Sequence, residues 1–203
     1  MNDSRFAVYL IPPYPLTRNV AEVHHLLRKQ FGFVAGDRFS VHCTVKGFFK
    51  KNDRAAEDLG AELDTFFQNQ DPLMVSAEDY RIDPIGFGLS LLNLDGQPNV
   101  PFLDFREKVV DITRPYIADD CDFKDRDLGR EFHPHITFAF RDIPNELYDN
   151  VLAWIGNGPN LKGKFLAETY HYLEFFSEDW SGRWWETLTW RLLNSWHLQG
   201  ERS

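Results

Sequence analysis

Apolar and polar residues along the chain follow strand-like and helix-like spacings in turn. The first apolar run, residues 5–11 (RFAVYLI), is rich in β-branched and aromatic residues and stops at two prolines, which predicts a strand. Apolar residues then recur three and four positions apart, which predicts a helix over about 17–31, ended by a glycine. Strand character returns over 40–49 (SVHCTVKGFF).

The remainder of the chain continues with the same two spacings. We predict further helices over about 55–69, 102–116 and 145–155, and strands over 73–82, 87–94, 135–140, 164–176 and 184–193. Between them, DGQPNVP at 95–101 indicates a turn, and the acidic stretch 118–131 indicates an exposed loop.

Two of the predicted strands carry the same short motif, a histidine two residues before a threonine. His42 and Thr44 form the first pair, and His135 and Thr137 form the second, 93 residues later. Because side chains alternate along a strand, each pair faces one side while apolar neighbours face the other. A random order of seven His and eight Thr gives roughly 0.3 such pairs. Two such pairs favour a functional role over the alternative of ordinary half-buried strand histidines. The repeated order of strand, helix and HxT strand suggests two similar lobes.

These residue types suit hydrolysis of a cyclic phosphodiester. One imidazole can activate water and the other can protonate the departing ribose oxygen, since an unperturbed histidine has a pKa near 6.5. Threonine hydroxyls can donate to the phosphoryl oxygens without a metal. We predict no cofactor and no metal site, because His133 and His135 lack carboxylate or thiolate partners nearby.

The composition limits the classes of ligand that the chain is expected to bind. The formal net charge of −9 disfavours long nucleic acids and fits a small phosphorylated ligand. Only two cysteines, Cys43 and Cys121, are present, which suits a reducing cytosol, and no apolar run is long enough for a membrane span. We expect a cytoplasmic monomer that acts on a small nucleotide or short RNA, without membrane partners.

The sequences HCTV at 42–45 and HITF at 135–138 resemble the paired H-x-[TS]-x motifs of the 2H phosphoesterase superfamily. The layout is most similar to its cyclic nucleotide and RNA 2′,3′-cyclic phosphodiesterases (the 2′-5′ RNA ligase-like group). Further similarities are Ile11-Pro12 at the end of the first strand, Pro134, and a terminal strand with Trp185-Glu186-Thr187. Val41 stands where relatives often have proline, and residues 118–131 have no counterpart that we can place.

The resemblance implies an α+β fold with two similar lobes in one domain over residues 1–203. Each lobe would be an antiparallel sheet with helices outside, and the active-site cleft would lie between the lobes. It also implies that His42 and His135 are the acid and base, without saying which is which, and that Thr44 and Thr137 bind the phosphate.

Four other residues are candidates for the same cleft. Lys46 shares the face of Thr44 if the strand is regular, where it could bind phosphate, although a solvated lysine fits equally well. Tyr9, Phe48 and Trp185 are candidates for base stacking, against the alternative of core packing. His24 is not nominated, because its neighbour on the predicted helix must face another way.

Three functions remain open at this point. The first is hydrolysis of 2′,3′-cyclic or ADP-ribose-type cyclic phosphates of nucleotides or short RNA ends. The second is a 2′-5′ oligonucleotide phosphodiesterase. The third is a non-catalytic nucleotide-binding module, which the intact histidines and threonines of both motifs argue against, since a binder needs no acid and base.

Overall fold

The computed structural model describes residues 3–52, 58–83, 86–123 and 132–200. Within these ranges the chain forms eight strands and four α-helices. The strands are β1 (Arg5–Ile11), β2 (Cys43–Phe49), β3 (Leu73–Asp83), β4 (Gly86–Leu92), β5 (His135–Phe140), β6 (Gly163–Ala167), β7 (Thr169–Phe176) and β8 (Thr189–His197). The helices are α1 (Tyr14–Phe31), α2 (Asp58–Gln68), α3 (Val100–Thr113) and α4 (Tyr148–Gly156). Every predicted helix has a counterpart, and β1 and β5 have the predicted bounds.

Two helices, α1 and α3, begin two or three residues earlier than predicted, and each has a proline in its first turn. α1 begins at Tyr14 rather than at residue 17, since Pro15 needs no hydrogen-bond partner for a backbone N–H there. At its other end Gly32 has a φ of 75° and donates its N–H to the Arg28 carbonyl, as predicted for the terminating glycine. α3 begins at Val100 because the Asn99 side chain accepts the N–H of Phe102.

The strands form one antiparallel sheet in the order β6-β3-β4-β5-β2-β1-β7-β8. The predicted α+β class with antiparallel strands is therefore confirmed. The division into two lobes, each with its own sheet, is not confirmed, because β5 and β2 are hydrogen-bonded neighbours at the centre. Their link is one residue pair, Cys43 with Ile136.

The two motif-bearing segments occupy equivalent places on either side of this central link. β1, α1 and β2 form one strand–helix–strand unit, and β4, α3 and β5 form the other. Each helix packs against the motif strand of the other unit, α1 against β5 and α3 against β2. The repetition predicted from the sequence is thus present in the topology, and it brings the two motif strands side by side.

Burial follows the predicted pattern at the centre of the sheet and departs from it in the acidic segment. All seven residues of β4 are buried, and Cys43 and Ile136 are fully buried at the central pair. The acidic segment 118–131 was predicted to be an exposed loop, but Ala118, Cys121 and Phe123 are buried, and 124–131 lie outside the described residues. None of the helices in the described ranges has the length and apolar character required to cross a membrane.

Candidate active site

The four motif side chains lie together because of the antiparallel register between β2 and β5. Cys43 pairs with Ile136, so His42 is placed opposite Thr137, and Thr44 opposite His135. The two pairing residues are fully buried, whereas the four motif residues are half-buried and line one cavity of about 570 Å³. The cavity has the size of a typical small-molecule site. The structure therefore brings each histidine beside the threonine of the other motif.

Both histidines are held by the same backbone hydrogen bond. Nδ1 of His42 lies 2.7 Å from the carbonyl of Ser40, and Nδ1 of His135 lies 2.8 Å from the carbonyl of His133. A carbonyl can only accept, so Nδ1 carries the proton in each ring. Nε2 is then the atom that can take up or release a proton when the ring exchanges one, and both rings have the tautomer that acid–base chemistry requires.

A bulge follows each motif. On β2, Val45 is the extra residue, since Tyr9 pairs with Thr44 and Val8 pairs with Lys46. On β5, residue 138 is the extra one, because Gly88 pairs with Thr137 and the preceding residue of β4 pairs with residue 139. The bulges reverse the alternation of side chains directly after each threonine.

The first bulge corrects the prediction for Lys46. A regular strand would have placed this side chain on the face of Thr44, but the extra residue turns it to the core, where Lys46 is fully buried. Its ammonium donates to the Gly47 carbonyl at 3.2 Å and lies 5.3 Å from the centre of the Phe49 ring. Lys46 does not line the cavity, so it is not placed to bind a phosphate there.

The two imidazoles differ in their surroundings. The ring of Tyr9 lies flat against His42, with 3.7 Å between centroids and 14° between planes, and Phe39 lies 5.6 Å away. In the other half, Gly88 stands in the place of Tyr9, opposite Thr137. On the neighbouring strand β3, the Asp83 side chain lines the cavity and accepts a hydrogen bond from Arg81 Nε at 2.8 Å. His42 is therefore packed against aromatic rings, and His135 is close to a carboxylate.

These surroundings change the pKa values in a predictable way. Burial lowers the pKa of His42 to about 4, the hydrogen bond to Ser40 opposes this, and the nearby His135 ring lowers it further. Burial also lowers the pKa of His135, while the hydrogen bond to His133 and the charge of Asp83 raise it. Arg81 and the Asp83 carboxylate act in opposite directions on the pKa of His135. Of the two rings, His135 is thus the one with an acidic neighbour that favours the charged form.

Aromatic residues form one wall of the cavity, and only part of this wall was predicted. Phe48 lines the cavity as predicted and packs on Phe39 and on Trp184, with centroids 6.2 Å and 5.3 Å apart. Tyr9 also lines the cavity, but its contact there is with His42 rather than with an open stacking surface. Trp185 was predicted on the terminal strand; it lies instead in a short 3₁₀ turn, Trp184–Glu186, and Trp184 is the tryptophan of that turn that lines the cavity.

His24 is a cavity residue that the sequence interpretation did not nominate. It is buried on α1, and its Nε2 donates to the Thr137 carbonyl at 2.8 Å, which fixes the backbone of the second motif. Burial lowers its pKa. The signal in the sequence was its spacing from Val20 and Leu27, which places a polar ring on the apolar face of the helix. A buried histidine on such a face requires a hydrogen-bond partner, and Thr137 supplies it.

No metal-binding group of three or more His, Cys, Asp or Glu side chains is found within the described ranges. His133, which neighbours the second motif, has its Nε2 2.9 Å from the Ser90 hydroxyl. Its carbonyl accepts from His135, so the contact with Ser90 anchors the segment that orients the second imidazole.

No protein-family model and no curated protein sequence matches this chain. Solved structures do match along almost its full length. E. coli LigT complexed with 3′-AMP has a TM-score of 0.54 at 17% identity and covers 98% of this chain and 99% of its own. TT0787 of Thermus thermophilus has a TM-score of 0.59 at 15% identity, with coverage of 97% and 99%. A structure described as a phosphoesterase has a TM-score of 0.52 at 15% identity, with the same coverage.

These likenesses establish the fold of the chain, which is that of LigT. The resemblance drawn from the two HxT motifs is confirmed at the level of fold, and the motifs occupy adjacent central strands of it.

Proposed function

We propose that this chain is a metal-independent phosphodiesterase of the 2H type that hydrolyses 2′,3′-cyclic phosphates of nucleotides or short RNA ends. Cyclic phosphates of the ADP-ribose type belong to the same proposal. The observation that carries it is the crossed arrangement of His42 with Thr137 and of His135 with Thr44 on the wall of one cavity. Two imidazoles with protonated Nδ1 and two hydroxyls meet the needs of an in-line displacement at one phosphorus.

The asymmetry of the two rings supports a division of their roles. His42, packed against Tyr9 and with a pKa of about 4, is neutral near pH 7 and acts as the base. Its Nε2 removes a proton from water as the water oxygen forms a bond to phosphorus. The bond from phosphorus to one ribose oxygen breaks, and protonated His135 gives its Nε2 proton to that oxygen. The product is a phosphate monoester, and the proton returns from His42 to His135 through solvent.

The charge of the substrate favours the same division of roles. A bound phosphodiester is an anion and favours the charged form of an imidazole beside it. Asp83 adds to this effect at His135. Thr44 and Thr137 donate to the phosphoryl oxygens, which gain negative charge as water adds.

The wall of the cavity and the structural neighbours support a nucleotide as the ligand. Phe39, Phe48 and Trp184 present aromatic surface on which a base can stack. LigT, which shares the fold, has been crystallised with 3′-AMP, with NADP⁺, with ATP and with phosphate. The net charge of −9 favours a small nucleotide or a short RNA end over a long nucleic acid. Two free, buried cysteines suit action in the cytoplasm, where we propose that the chain works as a monomer.

The test is hydrolysis of a panel of nucleoside 2′,3′-cyclic phosphates, cyclic-phosphate-ended RNAs and 2′-5′-linked dinucleotides, with identification of products. We expect the cyclic substrates to be hydrolysed in the presence of EDTA without added divalent ion. His42→Ala and His135→Ala should each lower the rate by about 10² to 10⁴ while the protein stays folded. The double variant should lose much less than the product of the two losses.

Other results would redirect the proposal. Preferential cleavage of the 2′-5′ dinucleotides would favour the oligonucleotide phosphodiesterase. Tight binding of intact cyclic nucleotide by the wild type, without turnover, would favour a binding module. Near-wild-type turnover by either folded alanine variant would exclude the role of that histidine.

A further inference from the structure

The described part of the acidic segment, residues 118–123, folds back along the end of β2. The N–H of Ala118 donates to the Lys50 carbonyl at 2.8 Å, and the N–H of Lys50 donates to Cys121 Sγ at 3.2 Å. The N–H of Cys121 donates in turn to the Ala118 carbonyl at 3.1 Å, which closes a turn. Lys50 comes two residues after Phe48, which belongs to the aromatic wall of the cavity. The segment is therefore bound to the strand that carries part of this wall.

Two ion pairs join the acidic segment to the start of β1 and the end of β2. The Lys50 ammonium donates to the Asp120 carboxylate. Nη2 of Arg5 lies 3.5 Å from Oδ2 of Asp122, and Asp3 is the other carboxylate that pairs with this arginine. Arg5 is buried, and a buried guanidinium requires anionic partners. The carboxylates of the segment are therefore held by cations of two strands that carry cavity residues.

The Arg5 guanidinium also contacts a tryptophan that supports the aromatic wall. It lies 4.8 Å from the centre of the Trp180 ring. Trp180 packs edge-on against Phe48, with centroids 5.5 Å apart, and packs against Trp184 with centroids 6.0 Å apart. Arg5 thus joins the charged groups of the acidic segment to the rings of the wall.

Phe123, at the end of the described part of the segment, is itself a residue of the cavity lining. It is buried, and its ring packs edge-on against Phe48, with centroids 5.7 Å apart. Its side chain has no polar atom, so it cannot donate to a phosphate or transfer a proton. An aromatic ring beside Phe48 can instead extend the surface on which a base stacks.

We propose that Phe123 is a specificity-determining residue that binds the nucleobase of the substrate together with Phe48, and that the two ion pairs of the acidic segment position it. This inference rests on the proposed function and narrows its substrate class. The favoured substrate is a nucleotide with a base, in preference to a small cyclic phosphate without one. Phe123 is expected to act on binding rather than on the chemical step.

Calorimetry with two probes, adenosine 3′-phosphate and inorganic phosphate, separates base binding from phosphate binding. Phe123→Ala should bind adenosine 3′-phosphate roughly tenfold more weakly than wild type, because it removes a ring against which the base packs. Its affinity for inorganic phosphate should stay close to wild type. Phe123→Tyr keeps the ring and should retain most of the affinity for adenosine 3′-phosphate.

Phe66→Ala is the matched control for the loss of an aromatic ring. Phe66 is a half-buried phenylalanine of α2 that packs on Phe67 and Phe105, with centroids 5.3 Å and 5.2 Å apart, and it does not line the cavity. Its removal should leave the affinity for both probes close to wild type. Urea unfolding of each variant verifies that it is folded under the conditions of the binding experiment.

A charge swap tests the role of the ion pairs. Asp120→Lys places a second cation beside Lys50, so it should displace the segment and weaken the binding of adenosine 3′-phosphate severalfold. Adding Lys50→Glu to the same chain restores an ion pair of reversed polarity and should recover most of the loss. Asp111→Lys makes the same change in net charge at an exposed position of α3 that pairs with Arg114, away from the cavity lining, and should keep the wild-type affinity.

Turnover provides a measurement that a purely structural role would not change in this way. With adenosine 2′,3′-cyclic phosphate as substrate, Phe123→Ala should raise KM more than it lowers kcat, because the lost contact is made equally in the ground state and the transition state. A loss confined to kcat would exclude the inference.

The remaining outcomes distinguish this inference from the proposed function. If wild type hydrolyses cyclic nucleotides and Phe123→Ala binds adenosine 3′-phosphate as tightly as wild type, the inference is excluded and the proposed function stands. Equal weakening of both probes in Phe123→Ala also excludes it. Wild-type affinity in Asp120→Lys excludes positioning by the Lys50 ion pair. If wild type binds neither probe and hydrolyses no cyclic nucleotide, the proposed function fails together with the inference.

Discussion

The ionisation of His42 links the candidate site to the stability of the fold. Burial lowers its pKa to about 4, against 6.5 for an ordinary histidine. Between these pH values the unfolded chain binds a proton that the folded chain does not, so the folded state loses stability as the pH falls from 6.5 towards 4. The gap of about 2.5 pH units corresponds to about 3 kcal/mol. We expect about 2 kcal/mol of this to be measurable, because the ring is only half-buried.

The substitution His42→Asn tests this estimate. It removes the titrating ring and keeps an N–H near the position of Nδ1, where it can still donate to the Ser40 carbonyl. The free energy of unfolding, measured with urea, should fall in both proteins as the pH is lowered from 7 to 4.5. The fall should be about 2 kcal/mol smaller in His42→Asn than in wild type. His25→Asn makes the same substitution at an exposed position on α1 and is the control variant. Equal pH dependence in wild type and His42→Asn would refute the reasoning.

Two further predictions concern the reaction. Thr44→Val and Thr137→Val each remove a donor to the phosphoryl oxygens and leave the proton-transfer groups in place. Each should therefore lower kcat by about tenfold to a hundredfold, which is less than the loss in the histidine variants. A kcat equal to wild type would show that the threonine does not bind the phosphate. Asp83→Asn removes a charge that raises the pKa of His135. The alkaline limb of kcat/KM should therefore move to lower pH, while the acid limb set by His42 stays in place. An unchanged alkaline limb would show that His135 is not the acid.

The sequence alone was sufficient for the four helices, for β1 and β5, and for the central pairs of the site. β1 and β5 have their predicted bounds because prolines and polar residues flank segments rich in β-branched and aromatic residues, which are local signals. The HxT spacing placed His42 with Thr44, and His135 with Thr137, on one face of each strand, since alternation is a property of any strand. Neither result depends on the rest of the fold.

The tertiary structure determined the positions of side chains that the alternation along a strand does not predict. Lys46 is in the core because a bulge at Val45 shifts the register, and a bulge arises from pairing with β1 rather than from the local sequence. Trp184 rather than Trp185 lines the cavity because the chain makes a 3₁₀ turn there, where side chains do not alternate as they do in a strand.

The difference between the surroundings of the two histidines also arises from the tertiary structure. Both motifs have the same local sequence pattern, so the sequence predicted an acid and a base without assigning them. Strand pairing places Tyr9 beside the first motif and Gly88 beside the second, and it brings Asp83 near His135. The sequence therefore determined which titratable and hydroxyl groups the two motif strands carry. The packing of distant segments determined the environment that sets the pKa of each histidine, because burial and Coulomb interactions depend on distance in space.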